Sequence, residues 1–426
     1  MSALSVELML GVNRVIMARH CLDDFNAAAS VDLFCFTFQF ALVGITTIAE
    51  IFAGQYLGAR EDKKVPIAVW QMMWLALMSI VVLVPLAFVM GPILIPETLM
   101  KQGIPYFRIF MSASFVMPLV TSISSFFVVQ GKTRLIFSAA ASASLLNFVI
   151  AYAFIPGVPG WFEPWGATGA AVATTVAQVY QFMFLLIAFL LPNNRQRYHT
   201  HKATFDWEHM KGCLKIGAPN AANYTIEMGG WTILVFVLAQ KGTEYLTVRG
   251  WITLLFVFFG FFTHGIERAV IALASNLLGA KEPVESFNKL LRSACLFVLL
   301  AGGAMALGLC LFSGDLAPLF LGETMPREIV PYIVSATYGM SVFFIFDSIV
   351  WVLMGILTSG GDTRFTMLMN VSASWLCVVI PGIVWLTYFT STPASVWTYL
   401  SPLYALINAL GMLKRYYSYA WRHKII

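Results

Sequence analysis

The stretch Gly131-Lys132-Thr133-Arg134 decides the fold because it occurs again, with one change, as Gly361-Asp362-Thr363-Arg364, 230 residues later (131 to 361). Ser-Ala-Ser follows each copy in the same register, at 142–144 and at 372–374. Each Gly-x-Thr-Arg stretch lies directly before an apolar run, which predicts a turn that opens a helix. Two co-linear matches indicate that the chain consists of two related halves.

Composition places these halves in a membrane. Hydrophobic residues make up 59% of the 426 and charged residues only 11%, whereas about a quarter of an ordinary globular protein is charged. So few charges cannot coat a soluble protein of this size, which excludes disordered, nucleic-acid-binding and disulfide-scaffold proteins. A membrane-spanning helix needs about 20 mostly apolar residues. Residues 1–19 form a short, partly charged candidate, and eleven clear runs follow at 32–55, 67–95, 105–129, 135–156, 167–191, 216–240, 251–278, 291–313, 331–358, 365–388 and 398–413.

A second pair of turns supports the duplication. Gly58-Ala59-Arg60-Glu61 and Gly279-Ala280-Lys281-Glu282 each end an apolar run and are 221 residues apart (58 to 279). Each half contains six runs, an even number, so both halves enter the membrane in the same direction. We therefore predict parallel repeats related by an axis along the membrane normal. Such a duplication leaves a central cleft between two lobes, where alternating access can operate.

Basic residues orient the helices. If residues 1–19 span the membrane, eighteen of the 26 Lys and Arg residues fall in loops on one side and six on the other. The side with the excess is the cytoplasmic one. We predict an all-α polytopic protein with twelve transmembrane helices in the cell (inner) membrane and both termini in the cytoplasm. Its parts are two six-helix lobes at 1–191 and 216–413, a cytoplasmic linker at 192–215 and a cytoplasmic tail at 414–426.

In order and spacing these motifs resemble those of the multidrug and toxic compound extrusion (MATE) family, over essentially the whole chain. Two further elements of the resemblance are Gly166–Thr174, which opens the sixth helix, and Lys215–Pro219, which enters the seventh. The resemblance implies a V-shaped, two-lobed antiporter that exports organic, often cationic or amphipathic compounds in exchange for Na⁺ or H⁺. It also implies a monomer that is not an enzyme. Its partners would be small organic substrates and the lipid bilayer, without nucleic acid, and it would hold no cofactor or metal besides the coupling ion.

Two acids at bilayer depth are candidates for coupling, because buried charge in a membrane is costly. Glu227 in the seventh helix and Asp347 in the tenth are similar to the second-lobe carboxylates that bind the cation in the family's sodium-coupled branch. Asn223 lies one turn before Glu227, so one helix face can offer carboxylate and amide oxygens, which suit a hard cation such as Na⁺. Two carboxylates in a low-dielectric pocket repel, so an empty site would take up a proton. Both coupling ions stay open at this point.

The first lobe departs from the family pattern. Val12-Asn13-Arg14 stands where many members carry an acid in the first helix. Ala151, one turn after Asn147, stands where proton-coupled relatives place an aspartate. The resemblance is therefore closer to the sodium-coupled bacterial branch, and we expect coupling through Glu227 and Asp347.

A gate is predicted from two other charges. Glu50 lies eight residues before Gly58, and Arg268 lies eleven before Gly279, so both are roughly 12–16 Å from equivalent helix ends at about 1.5 Å per residue. In the fold that the resemblance implies, these helices face each other across the cleft. We hypothesise an inter-lobe ion pair that closes the cytoplasmic path. Glu267 is the competing partner of Arg268, and pairing within one lobe is the alternative.

Aromatic residues supply candidate substrate contacts, because aromatic faces attract organic cations. The candidates for the substrate cleft are Trp231, Tyr224, Phe261 and Phe343. The alternative for each of them is packing between helices or contact with lipid.

Two other functional classes are weighed against export. A flippase for lipid-linked precursors, from the same wider superfamily, would need a strongly cationic cleft, but only Arg14 and Arg268 are basic within the predicted spans and away from their ends. A membrane enzyme would need a catalytic constellation. His264 is the only histidine in the spans, and no Ser-His-Asp arrangement or phosphate-binding loop occurs there.

Overall fold

The computed structural model describes residues 2–95, 97–321 and 327–422, and these residues are almost entirely helical. Within them the only β pairing is an isolated bridge between Val158 and Phe162. We number the long helices in chain order and count segments that continue across a short break as one helix. They are α1 (Ser2–His20), α2 (Leu22–Thr46 and Ile48–Gly58), α3 (Val65–Met78 and Ile80–Val89), α4 (Met100–Ser112 and Val116–Val129), α5 (Thr133–Phe154), α6 (Gly166–Phe189), α7 (Trp207–Lys241), α8 (Thr243–Gly279), α9 (Val284–Leu321), α10 (Val330–Ser359), α11 (Thr363–Ser374, Trp375–Val379 and Ile380–Tyr388) and α12 (Val396–Leu400 and Ser401–Tyr417).

Eleven of these helices, α2 to α12, are long and apolar enough within the described residues to cross a membrane. They correspond to the eleven predicted apolar runs. The doubtful first run is also helical, as α1, although it is not among the eleven apolar spans.

The structure extends several helices beyond their predicted bounds, most of all at the start of α2 and in the predicted linker. α2 begins ten residues before the predicted start at 32, because Asp23 and Asp24 lie in its first turn, where acidic side chains suit the helix dipole rather than interrupt the helix. Much of the predicted linker at 192–215 is helical, since Pro192–Tyr198 forms a short helix and α7 already begins at Trp207. Pro192 has the fixed φ that suits a first helical residue.

The segment that follows the short helix is bound to α3 by side chains. Trp70 Nε1 donates to the carbonyl of Thr200 at 3.0 Å. Gln71 Nε2 donates to the carbonyl of Thr204 at 2.9 Å, and Gln71 Oε1 accepts from the backbone N–H of Asp206 at 3.0 Å. These bonds attach the segment before α7 to the first turns of α3.

The repeated turns have the same backbone conformation in both halves. Gly131 and Gly361 have φ values of 71° and 77°, in the left-handed region that favours glycine. Arg60 and Lys281, at equivalent places in the other repeated turn, have φ values of 60° and 55°. The sequence repeat is therefore a repeat of local structure.

The chain divides into two compact units, Met1–Ala221 and Ala222–Ile426. In the first unit, apolar side chains of α1, α2, α4 and α6 form the main core, with Phe107 and Phe110 fully buried. Alanines on α6, such as Ala170 and Ala171, have small side chains that let neighbouring helices approach closely.

The second unit has two apolar clusters, one around α8, α10 and α12 and one where α9, α10 and α12 meet. Trp251 and Phe344 lie fully buried in the first of them. Gly339 on α10 lies against the backbone of Thr398 on α12, with no room for a Cβ atom. This close approach packs α10 and α12 tightly beside the polar residues described next.

Candidate functional site

A hydrogen-bonded network centred on Asn370 of α11 lies in the interior of the second unit. Asn370 Nδ2 donates to Glu227 Oε2 at 2.8 Å and to Asn223 Oδ1 at 3.0 Å. Asn370 Oδ1 accepts from the hydroxyl of Tyr404 at 2.9 Å and from Asn408 Nδ2 at 2.8 Å. One amide therefore connects α7, α11 and α12.

Each helix contributes these groups for a local reason. Asn223 and Glu227 are separated by one helical turn, so both project from the same face of α7 toward Asn370. Tyr404 and Asn408 are also one turn apart and share a face of α12. On α11, Asn370 is followed by the π-helical segment Trp375–Val379, and such segments often lie at functional sites.

Glu227 is held as an acceptor, without a cationic partner. The side chain is half-buried, and Oε1 lies 3.4 Å from the donating hydroxyl of Tyr404. Among the residues that the structure describes, no Lys or Arg forms an ion pair with Glu227. Asn408 is fully buried, and its Oδ1 has no hydrogen-bond partner within the described part of the chain. A carboxylate beside unpaired or exchangeable amide oxygens is a donor set for a hard cation.

Asp347 belongs to a neighbouring set of contacts on α10. Trp351 Nε1, one turn along the helix, donates to Asp347 Oδ2 at 2.8 Å. The Trp351 ring lies edge-on to the ring of His264, with 4.5 Å between the centroids. His264 Nδ1 is 3.5 Å from Glu267 Oε2. Asp347 and Glu227 share no hydrogen-bond partner among these contacts, but they are close enough for their charges to interact.

Other predicted residues have varied surroundings. Phe343 is only 2% exposed and stacks on Tyr404 with 6.1 Å between ring centroids. Trp231 stacks on Trp397 at 6.1 Å, in planes only 8° apart. Tyr224 is half-buried. The side chain of Phe261 lies outside the described part of the structure, so its predicted role in the cleft stays a prediction.

The two residues of the predicted gate belong to different units. Glu50 is buried in the first unit, on α2, and Arg268 lies on α8 of the second. Glu267 is the competing partner, and its carboxylate oxygen lies 3.5 Å from Nδ1 of His264, as described above. The inter-lobe pair stays a prediction.

The first unit contains a buried acid that was missed from the sequence. Asp32 Oδ2 accepts from Arg14 Nη2 at 2.8 Å, and Asp32 Oδ1 accepts from the hydroxyl of Tyr106 at 2.5 Å. The first helix itself carries no acid at this place, as the sequence indicated, and Asp32 comes from α2. It was overlooked because the predicted helix began at residue 32, which placed the acid at the helix end.

Two buried asparagines, Asn13 and Asn147, also lie in this unit. Asn13 Nδ2 donates to Thr174 Oγ1 at 2.8 Å and to the carbonyl of Ala170 at 3.3 Å. Asn147 is fully buried, and neither atom of its amide has a partner among the described residues. Ala151, one turn beyond Asn147, adds no charge to these positions.

Sequence reasoning also missed Asn370, Tyr404 and Asn408. The signal that could have found the two asparagines is the one used for the acids, a strongly polar side chain at bilayer depth. Charge alone does not indicate Asn370 and Asn408, because asparagine is neutral. Together with Asn223 and Glu227, these three residues make up the network.

Comparisons with known proteins agree with this architecture. The family model described as MatE matches residues 22–153 and 219–384, one segment in each half. The chain is 23% identical over 392 residues to the uncharacterized transporter YisQ of Bacillus subtilis, covering 87% of this chain and 82% of that protein. It is 23% identical over 394 residues to the probable multidrug resistance protein NorM of Aromatoleum aromaticum, covering 89% and 82%.

A solved structure shares the fold. A MATE crystal structure in the straight conformation superposes with a TM-score of 0.86 at 15% identity, covering 98% of this chain and 93% of that one. The chain therefore belongs to the MatE family of multidrug and toxic compound efflux transporters, as an all-α, multi-pass membrane protein with twelve helices in two repeats.

Proposed function

We propose that the protein is a secondary active antiporter that exports organic, often cationic or amphipathic compounds in exchange for Na⁺ or H⁺ by alternating access. The observation that carries this proposal is the Asn370 network, which holds the Glu227 carboxylate without a cationic partner in the described structure. A carboxylate at bilayer depth with no counter-ion needs a mobile cation or a proton to neutralise it. The protein would act as a monomer in the cell membrane, with both termini cytoplasmic.

The coupling ion would bind at Glu227. A sodium ion would take oxygen ligands from Glu227, Asn223 and the unpartnered Oδ1 of Asn408. A proton would instead be held on the Glu227 carboxylate, close to the hydroxyl of Tyr404. Either ion neutralises a negative charge in the site, and the transport cycle would respond to that neutralisation.

Ion entry would also disturb the helix contacts. Asn370 Nδ2 donates to Glu227 and to Asn223, the two residues whose oxygens a sodium ion needs. Each of those oxygens has a further lone pair, so a sodium ion can bind while Asn370 keeps the two side chains in position, and its approach would shift Asn370 relative to α7. The π-helical segment Trp375–Val379 begins five residues later and can absorb such a shift more readily than a regular α-helix.

The substrate would be taken up by aromatic surface near this network. Tyr404 connects the network to the Phe343 ring, and Trp231 lies in the same apolar cluster. Aromatic faces contribute about 0.5–2 kcal/mol each to binding of an organic cation, depending on desolvation. Substrate and coupling ion would then bind in turn. The coupling ion neutralises the Glu227 carboxylate, and a cationic substrate needs that carboxylate to be free.

An assay of dye efflux in a pump-deficient bacterium, with and without Na⁺, tests the proposal. We expect efflux with the wild-type chain and a loss of about tenfold or more for Glu227→Gln, which removes the charged oxygen ligand, and for Asp347→Asn, which removes the negative charge near it. Glu285→Gln is the matched control, since Glu285 lies exposed in the first turn of α9. Equal efflux by all three variants and the wild type, or no efflux by any of them, would overturn the antiporter assignment.

The flippase alternative has weaker support. It needs free basic groups to hold a pyrophosphate, and Arg14 in the first unit is already bound to the buried Asp32. Efflux of organic dyes is not expected from such a flippase, so the same assay separates the two functions.

A further inference from the structure

A polar cavity of about 360 Å³ lies at one end of the first unit. It is enclosed by the turn between α4 and α5 and by the short helix after α6. Its polar lining comprises Gln130, Lys132, Asn193, Asn194, Arg197 and Tyr198. A volume of this size suits a small ligand or a lipid headgroup.

Two cations of the lining are placed to receive an anion. Arg197 is oriented by its Nε, which donates to Asp62 Oδ2 at 2.8 Å, and by the ring of Tyr198, 4.9 Å from its guanidinium carbon. The bond to Asp62 uses the nitrogen nearest the stem, which leaves the Nη end of the guanidinium for a second acidic partner. Lys132 is exposed and forms no ion pair with a described acidic residue.

The surroundings of the cavity are strongly basic. The three segments that meet at this end of the unit, 57–64, 130–134 and 192–206, contain eight Lys and Arg residues and three acids. The pKa of His199 is lowered by partial desolvation and by the positive charges of Lys202 and Lys63. The basic residues outnumber the acids that could neutralise them, which favours an anionic ligand.

The equivalent place in the second unit is already filled. Asp362 corresponds to Lys132 in the repeat, and it is fully buried and bound to Arg415 at 2.6 Å. Gly360 corresponds to Gln130, and the backbone of Trp421 lies so close that a Cβ atom on Gly360 would be 2.7 Å from its carbonyl oxygen. The second unit closes this place with its own tail, whereas the first leaves it open.

The position of the cavity indicates the source of the anion. It lies where α4 ends and α5 begins, and both are helices long enough to cross a membrane. This is the depth of lipid headgroups, on the side that the basic loops identify as cytoplasmic. Basic pockets at that depth bind anionic headgroups by their phosphate.

We propose that this cavity binds the phosphate group of an anionic phospholipid through Lys132 and Arg197. The chemistry that it recognises is a phosphate oxygen, with Lys132 as a point charge and Arg197 as a directional donor. Asn193 and Gln130 supply amide groups at the rim of the same cavity. The proposal is independent of the transported compound and of the coupling ion.

Native mass spectrometry of the purified full chain in detergent tests the proposal. Dioleoylphosphatidylglycerol, dioleoylphosphatidylcholine and inorganic phosphate are titrated separately, and the retained adducts are counted. The wild type is expected to retain one phosphatidylglycerol in preference to phosphatidylcholine. Lys132→Ala combined with Arg197→Ala should weaken that adduct by about tenfold or more. Arg195→Ala with Lys202→Ala is the matched control, because these exposed basic residues of the same loop do not line the cavity.

The outcomes separate the two sources of phosphate. Loss of the phosphatidylglycerol adduct in the cavity variant alone supports the lipid, and binding of inorganic phosphate with the same dependence on Lys132 and Arg197 supports a free phosphate ion. Lys132→Glu, which copies the acid of the second unit, is a single surface change that tests the same point if the double variant is poorly folded. The proposal is wrong if neither probe distinguishes the cavity variants from the control.

Discussion

Asn370→Ala is the most direct test of the site, because this amide takes part in four hydrogen bonds at once. Two are donated, to Glu227 and Asn223, and two are accepted, from Tyr404 and Asn408. Hydrogen bonds between membrane helices contribute about 0.6 kcal/mol each on average. The bond to the carboxylate is stronger, at about 1.5–3 kcal/mol for a charged acceptor. The sum for Asn370→Ala is a loss of about 3–5 kcal/mol in the free energy of unfolding.

Transport should fall for a related reason. Without the amide, the Glu227 carboxylate loses its hydrogen bond of 2.8 Å and keeps the contacts with Trp231 and, at 3.4 Å, with Tyr404. Losing about 1.5–3 kcal/mol of positioning energy corresponds to about 10- to 100-fold in the concentration of coupling ion that half-activates efflux. We would measure the Na⁺ and H⁺ dependence of dye efflux from proteoliposomes that contain equal amounts of folded protein.

Two further variants separate positioning from folding. Asn370→Asp keeps the acceptors for Tyr404 and Asn408 but puts a second carboxylate against Glu227, so it should impair transport at least as much as Asn370→Ala. Asn288→Ala removes an asparagine that accepts one bond, from Tyr416 at 2.8 Å, at the C-terminal end of α12. Coupling-ion dependence that is unchanged in both Asn370 variants would refute the assignment of this network to coupling.

Three other predictions concern the fold. Asp32→Asn should lower the free energy of unfolding by about 3 kcal/mol, which is the low end for a buried pair because Arg14 is half-exposed. Replacing both partners, as Arg14→Leu with Asp32→Leu, should recover part of the loss. Identical unfolding curves in detergent for Asp32→Asn and the wild type would contradict this prediction. Gly339→Ala should cost about 3 kcal/mol or more because α12 leaves no space for its Cβ, whereas Gly303→Ala, where nothing lies within 4 Å, should be neutral in the same measurement. Asp206 caps α7. Hydrogen bonds from the backbone N–H and the ring of His209 hold the pKa of the Asp206 carboxyl below its usual value. A lowered pKa in the folded state means that the cap stabilises α7 at neutral pH and is lost as the pH falls through the range below about 4. Hydrogen exchange in the first turn of α7, corrected for its intrinsic rate, should therefore rise on acidification in the wild type and be independent of pH in Asp206→Asn.

Most of the fold was predictable because its signals are local. Hydrophobic length marks a membrane span wherever the helix packs, and the eleven apolar runs reappear as α2 to α12. The Gly-x-Thr-Arg turns need a left-handed glycine, and both Gly131 and Gly361 adopt that conformation. The predicted start of α2 was wrong because hydropathy alone makes the acids of a first helical turn resemble part of a loop.

The site was predictable only where it is local. Asn223 and Glu227 are one turn apart, so the spacing by itself placed them on one face of α7. Asn370 and Tyr404 are 143 and 177 residues from Glu227 along the chain, and no spacing relates them to it. Their convergence depends on how α11 and α12 rotate about their axes when they pack.

The sequence and the tertiary structure therefore decided different properties of this protein. The sequence by itself determined a membrane protein of two parallel six-helix repeats, and it placed Glu227 and Asp347 among the few charges at bilayer depth. The tertiary structure decided which neutral groups surround Glu227, that Asp32 is the partner of Arg14, and that one turn is open at Lys132 while its equivalent at Asp362 is closed. The physical reason is that spans, turns and charge bias are properties of short segments, whereas a hydrogen-bond network is formed by side chains from distant helices, and only their packing brings donor and acceptor within 3 Å.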